Sequence, residues 1–171
     1  MENMTANPLH IRGADHFSWT VAEVEPVSAF YQRVLGAQFL YGVGPVDAAE
    51  MPRDPDGRDW TAAHLGVPGA RLQFVVLLLP GNIRLEIVQF AAPAGKATAP
   101  LPNNEIGASH MGIEVEDIEA AATYLNANGC KVFERIDSPP GSATEGTSYR
   151  YVRDPWNNIL ELCGRYAPQA L

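Results

Sequence analysis

Two histidines, His16 and His110, and two glutamates, Glu86 and Glu161, hold matched places in this 171-residue chain. Each histidine opens a stretch in which polar or small residues alternate with apolar ones. HFSWT and the following Val21 put His16, Ser18 and Thr20 on one strand face and Phe17, Trp19 and Val21 on the other. HMGIEV separates His110, Gly112 and Glu114 from Met111, Ile113 and Val115 in the same way. Each glutamate is the lone acid of an apolar run, RLEIVQF for Glu86 and NILELCG for Glu161. Alternation turns such a carboxylate away from its leucine and isoleucine neighbours, and if the face it reaches lines an enclosed cavity, it needs a cation there. Two imidazoles and two carboxylates converging on one point would supply nitrogen and oxygen ligands for a divalent metal. Taken singly, a strand histidine or glutamate more commonly faces solvent or an ordinary hydrogen-bond partner. The recurrence of the pair is what favours a site.

The elements that must position these residues also recur. The stretches HFSWTVAEVEPVSAFYQRVLGAQF and HMGIEVEDIEAAATYLNANGCKVF agree in Val21 and Val115, Glu25 and Glu119, and Phe30 and Tyr124, and each reaches a glycine, Gly36 or Gly129. The second histidine follows the first by 94 residues, too long for a solenoid period and suited to a duplicated half-domain. In the first copy the pattern predicts a strand over 13–21 and a helix begun at Pro26, its stripe formed by Val27, Phe30, Tyr31, Val34 and Leu35 and its stop by Gly36. A strand near 37–41, a Gly/Pro/Asp-rich loop over 42–60, and strands over 61–67, 73–79 and 83–90 follow. In the second copy the pattern predicts a strand over 109–115, a helix capped by Asp117, a strand over 131–135, a loop over 137–148, and strands over 149–153 and 159–164. The DPWNN turn between the last two needs Asn157 or Asn158 in the left-handed conformation. The plan is β-α-β-β-β twice: a first module over 11–90, a Pro/Ala linker over 91–107 and a second module over 108–166, together one domain of the α+β class.

A formal charge of −8 and a pI near 4.9 argue against nucleic acid or an anionic membrane as partner, since both need a basic surface. The longest apolar run, 74–79, is far short of a membrane span, and the N-terminus has no basic start followed by an apolar run, so a cytoplasmic protein without a signal peptide is expected. Cys130 and Cys163 have no metal-ligand spacing and are expected to be free thiols.

The segments DHFSWTV, RLEIVQF, SHMGIEVEDIEAA and VRDPWNNILEL resemble the four signature strands of the vicinal oxygen chelate superfamily, which includes glyoxalase I, methylmalonyl-CoA epimerase, extradiol dioxygenases and bleomycin- and fosfomycin-resistance proteins. The resemblance implies two βαβββ modules curving into a U-shaped mixed sheet around one divalent ion (Zn, Ni, Co, Mn or Fe), with His16, Glu86, His110 and Glu161 as ligands. It also implies an isomerase or lyase that moves a proton α to a carbonyl through a metal-stabilised enolate, with Glu161 as base and Glu86 returning the proton on the opposite face. A small carbonyl or thioester substrate and a homodimer complete the expectation.

Among members, SHMGIEVEDIEAA is similar to the HIAFEVDDIEAA of methylmalonyl-CoA epimerases, Glu114 included. Bacterial glyoxalase I has an arginine four residues after the first histidine, where this chain has Thr20. The reading is therefore epimerase-like, with a glyoxalase I-like lactoylglutathione lyase as the alternative. An extradiol-type dioxygenase or an antibiotic-binding resistance protein ranks lower, the former because two glutamates accompany the two histidines. Arg53, Arg58, Arg71 and Arg84 are candidates to meet a carboxylate or the phosphates of a CoA-like substrate.

Overall fold

The computed structural model describes residues 10–165. Residues 1–9 of the loose tail expected over 1–10, and the last residue of the second module, 166, lie outside them. The first module comprises β1 (His16–Thr20), α1 (Val24–Leu35), β2 (Gln38–Asp47), a 3-10 turn (Ala48–Glu50), α2 (Trp60–Leu65), β3 (Arg71–Leu79) and β4 (Ile83–Ala92). The second comprises β5 (Met111–Val115), α3 (Ile118–Ala127), the short β6 (Lys131–Val132) and β7 (Ile136–Asp137), then β8 (Thr147–Arg153) and β9 (Ile159–Arg165). The strands form two sheets, ordered β1-β4-β3-β2 and β5-β9-β8-β6, with β7 pairing β8. Both modules share one design. The first strand runs parallel to the last, and the last runs antiparallel to its predecessor.

Local chemistry explains most boundaries. α1 ends where Gly36 turns left-handed (φ 68°), and α3 begins where the Asp117 carboxylate accepts hydrogen bonds from the Glu119 and Ala120 amides, satisfying otherwise orphaned donors. Asn157 takes the left-handed conformation expected of the β8–β9 turn (φ 69°). Two expectations are corrected. Residues 61–67, read as a strand, fall mostly in helix α2, because Asp59 caps it by accepting from the Ala62 amide and Gly66 closes it left-handed (φ 69°). The first part of the expected loop, 42–47, is instead the continuation of β2, which keeps pairing with β3 to Asp47 through two register shifts, while 51–59 remain irregular. Gly44 makes this possible: a Cβ there would lie 2.9 Å from the Gln73 Cα and the Leu72 carbonyl oxygen.

Each helix covers one face of its own sheet, and those faces join in one core. Trp19, Val27, Tyr31, Leu77, Leu85 and Ile87 from the first module belong to the same buried cluster as Met111, Ile118, Leu125, Val152, Leu160 and Leu162 from the second. The two aromatics matched in sequence part ways here. Phe30 is buried edge-on against Trp156 at 5.6 Å between ring centroids, whereas Tyr124 is exposed.

A polar knot ties the modules together. The buried Asp154 carboxylate accepts hydrogen bonds from the Tyr31 hydroxyl of α1 (2.9 Å), the Trp156 and Asn158 amides, and the Asn158 side chain (2.7 Å). Burial raises the Asp154 pKa above its ordinary 3.8, while the hydrogen bonds from Asn158 and Tyr31 oppose that rise. Because the folded-state pKa is the higher one, the native state holds the extra proton between 3.8 and the raised value, so this group's contribution to stability falls as pH climbs through that window. Tyr31→Phe removes one donor and raises the pKa further. Urea unfolding should show a loss of about 1–3 kcal/mol at neutral pH and a smaller loss below pH 3.8. Equal losses at both pH values would contradict a role for the charged carboxylate.

Candidate functional site

The register of the parallel pairs decides which side chains become neighbours. In the first module Ser18 is opposite Glu86, so His16, two residues earlier, shares their sheet face one step along. In the second, Gly112 is opposite Glu161, and His110 lies two residues before Gly112. The arrangement is the same in both, with one difference at the central position. Ser18 donates a hydrogen bond to Glu86 Oε1 (3.0 Å), whereas Gly112 offers Glu161 no side chain and His110 Nε2 approaches Glu161 Oε2 to 3.6 Å.

His16 is held from its other side, with Nδ1 2.9 Å from Asp15 Oδ1, and Asp15 in turn meets Arg84 (3.0 Å), the residue opposite His16 in register. The hydrogen bond from His16, then the charge of Arg84, keep the Asp15 carboxyl below its ordinary range. A backing carboxylate of this kind fixes the ring orientation of a ligating histidine. His110 packs edge-on against Tyr151, with ring centroids 5.4 Å apart, and Tyr151 is the residue opposite Glu161 on β8. Burial, followed by hydrogen bonding to Glu161 and the charge of Glu161, raises the Tyr151 pKa. Sequence reasoning did not single out Ser18, Asp15 or Tyr151. Ser18 was visible as the polar neighbour of His16 in alternation, but the other two require the register.

Each His–Glu pair lies on the sheet face turned away from the shared core, and the two pairs do not meet. Among the described residues no group of three or more His, Cys, Asp or Glu side chains gathers closely enough to hold a metal. The expected convergence of His16, Glu86, His110 and Glu161 on one point therefore does not occur within one chain. The His110–Glu161 pair alone still fits a metal. Donors ~2.0–2.2 Å from one ion at near-tetrahedral angles stand roughly 3.5 Å apart, close to the observed His110–Glu161 separation.

Most of the other candidates meet ordinary partners. Arg58 pairs with Asp56 (2.6 Å), Arg84 with Asp15, and Arg53 donates to the Gly57 carbonyl (2.8 Å). Glu114 meets Arg165 at 3.4 Å, and His64 stacks on Trp60. A groove of about 340 Å³ between α1 and β2 has Glu25, Gln32 and Gln73 as its main polar lining and touches neither His–Glu pair. A smaller pocket of about 150 Å³ adjoins the second pair instead.

Residues 13–162 match the Glyoxalase/Bleomycin resistance protein/Dioxygenase superfamily. The chain belongs to that superfamily. A 2-epi-5-epi-valiolone epimerase from an Actinomyces species is 29% identical over 149 residues, covering 86% of this chain and 76% of that one. The fold is that of a glyoxalase family protein from Bacillus cereus, with a TM-score of 0.70, 18% identity and coverage of 96% of this chain and 99% of that one. A genomically encoded fosfomycin resistance protein from Listeria monocytogenes, solved with manganese(II) and sulfate, has a TM-score of 0.55, 16% identity and coverage of 90% of this chain and 93% of that one. No helix among the described residues is long and apolar enough to cross a membrane.

Both cysteines are free thiols, as expected. Burial pushes Cys130 up to about 11 and raises Cys163, which stands on the Glu161 face with Sγ 4.0 Å from Glu161 Oε2. A thiol-reactive reagent at pH 8 should therefore modify partly exposed Cys163 slowly and Cys130 only on unfolding. Fast modification of both in the native protein, read by intact mass, would contradict these environments.

Proposed function

We propose that this chain is a metal-dependent epimerase that moves a proton α to a carbonyl, with a hydroxylated cyclic ketone as substrate. The observation that carries the reading is the His110–Glu161 pair at 3.6 Å, with His16 and Glu86 sharing one sheet face in the matching register of the first module. The epimerase relative supports the reaction class, and its ketone substrate supports the substrate class over an acyl thioester. So does the engagement of Arg53, Arg58 and Arg84 within the protein, which leaves fewer cations for the phosphates of a CoA carrier.

In this reading His16, Glu86, His110 and Glu161 would hold one divalent ion, which when bound would supply Lewis-acid polarisation of the substrate carbonyl and so acidify the neighbouring C–H. Glu161 takes that proton. It is given the general base role because it stands beside His110 with the Tyr151 phenol as its hydrogen-bond partner, whereas Ser18 holds Glu86. Glu86, approaching from the other strand pair, returns a proton to the opposite face of the carbon and inverts it. Tyr151, edge-on to His110, keeps that ring in place.

The two pairs belong to one site only if a second copy supplies one of them. β1 and β5 are sheet edges, and each lies beside its own glutamate-bearing strand. The edge strand β2 further exposes Phe39, Leu40, Tyr41 and Val43 together, an apolar stretch that a monomer rarely leaves open. A two-fold homodimer would join β1 and β4 of one copy to β5 and β9 of the other. Light scattering at micromolar concentration should give twice the chain mass of 18.5 kDa, and a monomer would count against the paired site.

The reaction is tested in deuterated water with metal-loaded protein and three substrates: a polyhydroxylated cyclohexanone, a 2-methyl-branched acyl thioester and a glutathione hemithioacetal. Deuterium should enter the α-carbon of the cyclic ketone fastest. Glu161→Gln should retain metal and lose about 10²–10⁴ in rate, whereas His110→Ala should lose the metal. Conversion of the hemithioacetal without exchange on either other substrate would favour the lyase instead. No turnover of any of the three by metal-loaded protein would sink the mechanism.

A further inference from the structure

The pocket beside the second His–Glu pair has a composition that the proton transfer does not use. Its volume is about 150 Å³, and it is lined by Ala143, Thr144, Thr147, Tyr149, Cys163 and Arg165. At ~30 Å³ per water this is the room of about five waters, enough for part of a small ligand and below the ~300 Å³ where whole drug-sized ligands begin. Register sets its position relative to the chemistry. Tyr149 is opposite Cys163 and Thr147 opposite Arg165, so all four share the face of Glu161, beginning two residues along β9 from it. A ring held at Glu161 would extend into this pocket.

The lining is rich in hydroxyls. The Thr147 hydroxyl is hydrogen bonded to the Tyr149 phenol oxygen (2.8 Å), and Ser138 donates to Thr144 Oγ1 (2.9 Å), which fixes the wall formed by the loop between β7 and β8. The single cation, Arg165, is offset by Glu114 at 3.4 Å, and Glu161 adds negative charge at the inner end. Such a wall suits neutral hydroxyl groups, which both donate and accept, better than a phosphate or a carboxylate.

We infer that this pocket is the subsite that takes the hydroxyl-bearing end of the substrate, with Tyr149 as the residue that selects a hydroxylated ring over a bare one. The inference rests on the proposed epimerase reading for the position of the reacting carbon. It specifies where the rest of the substrate lies, which that reading leaves open. Tyr149 is a binding and specificity residue here and takes no part in proton transfer.

Cys163 lines the pocket and reports its occupancy without turnover. The metal-loaded dimer is treated with iodoacetamide, and Cys163 modification is followed by mass spectrometry in the presence of myo-inositol, unsubstituted cyclohexanone or inorganic phosphate. Myo-inositol should slow the modification, and the other two should not. In Tyr149→Phe the protection should weaken, and the KM for a polyhydroxylated cyclohexanone should rise about 3–10-fold, the worth of one hydrogen bond, with kcat within about twofold. Thr144→Val, in the loop between β7 and β8, provides a second variant if Tyr149→Phe fails to fold, and it should shift protection in the same direction. Protection by phosphate alone would make this an anion subsite and overturn the inference. No protection by myo-inositol, or an unchanged KM in both variants while exchange continues, would overturn it and leave the epimerase reading intact. Protection by myo-inositol without α-exchange in the wild type would uphold the subsite and reject the reaction.

Discussion

The parallel pairing of the first and last strand in each module is the constraint on which the rest of the site depends. Parallel strands cannot be joined by a tight turn, so each module spends its helix and intervening strands bringing β4 back beside β1 and β9 back beside β5. Once that pairing forms, alternation leaves no freedom: a histidine two residues upstream of the position opposite a glutamate must share its face. A slip of one residue would send Glu86 or Glu161 into the apolar core occupied by Leu85, Ile87, Leu160 and Leu162. The apolar neighbours of each acid thus set the register that exposes it.

A second constraint places the two modules. Asp154 is buried and accepts from a hydroxyl of the other module, so the β8–β9 turn is tied to α1 while Trp156 packs on Phe30. This joint puts the helix-covered faces together and the His–Glu faces outside. The same packing that gives the chain one core therefore keeps the two His–Glu pairs apart, and in the proposed reading the completed site becomes a question of assembly.

The duplicated β-α-β plan was legible because alternation, Gly36 and Asp117 are local signals, and the His–Glu pairs were legible because each acid interrupts an apolar run. Helix α2 was missed although its signals were present, Asp59 before and Gly66 after. Threonine, valine and leucine in 61–67 read as strand-formers, and a helix of six residues is too short for periodicity to outweigh them. The length of β2 was hidden for a different reason. Glycine and proline usually end strands, but Gly44 is required where the β3 backbone approaches it closely. Asp15 and Tyr151 gave no signal because their roles depend on partners fixed by register and fold. The separation of the half-sites was not legible at all, since it arises from how two modules pack and no local pattern encodes that.

The central claim is that the His16–Glu86 half of one copy completes the His110–Glu161 half of another around one metal ion. It is tested most directly by refolding an equal mixture of His16→Ala and His110→Ala chains and measuring bound metal. If the halves come from different copies, each mixed dimer has one intact site and one site lacking both histidines. Metal content should then rise from near zero in either parent to about a quarter of the wild-type value. If each site is built within one chain, every site in the mixture lacks a histidine, and a metal content that stays at the parental level would contradict the account.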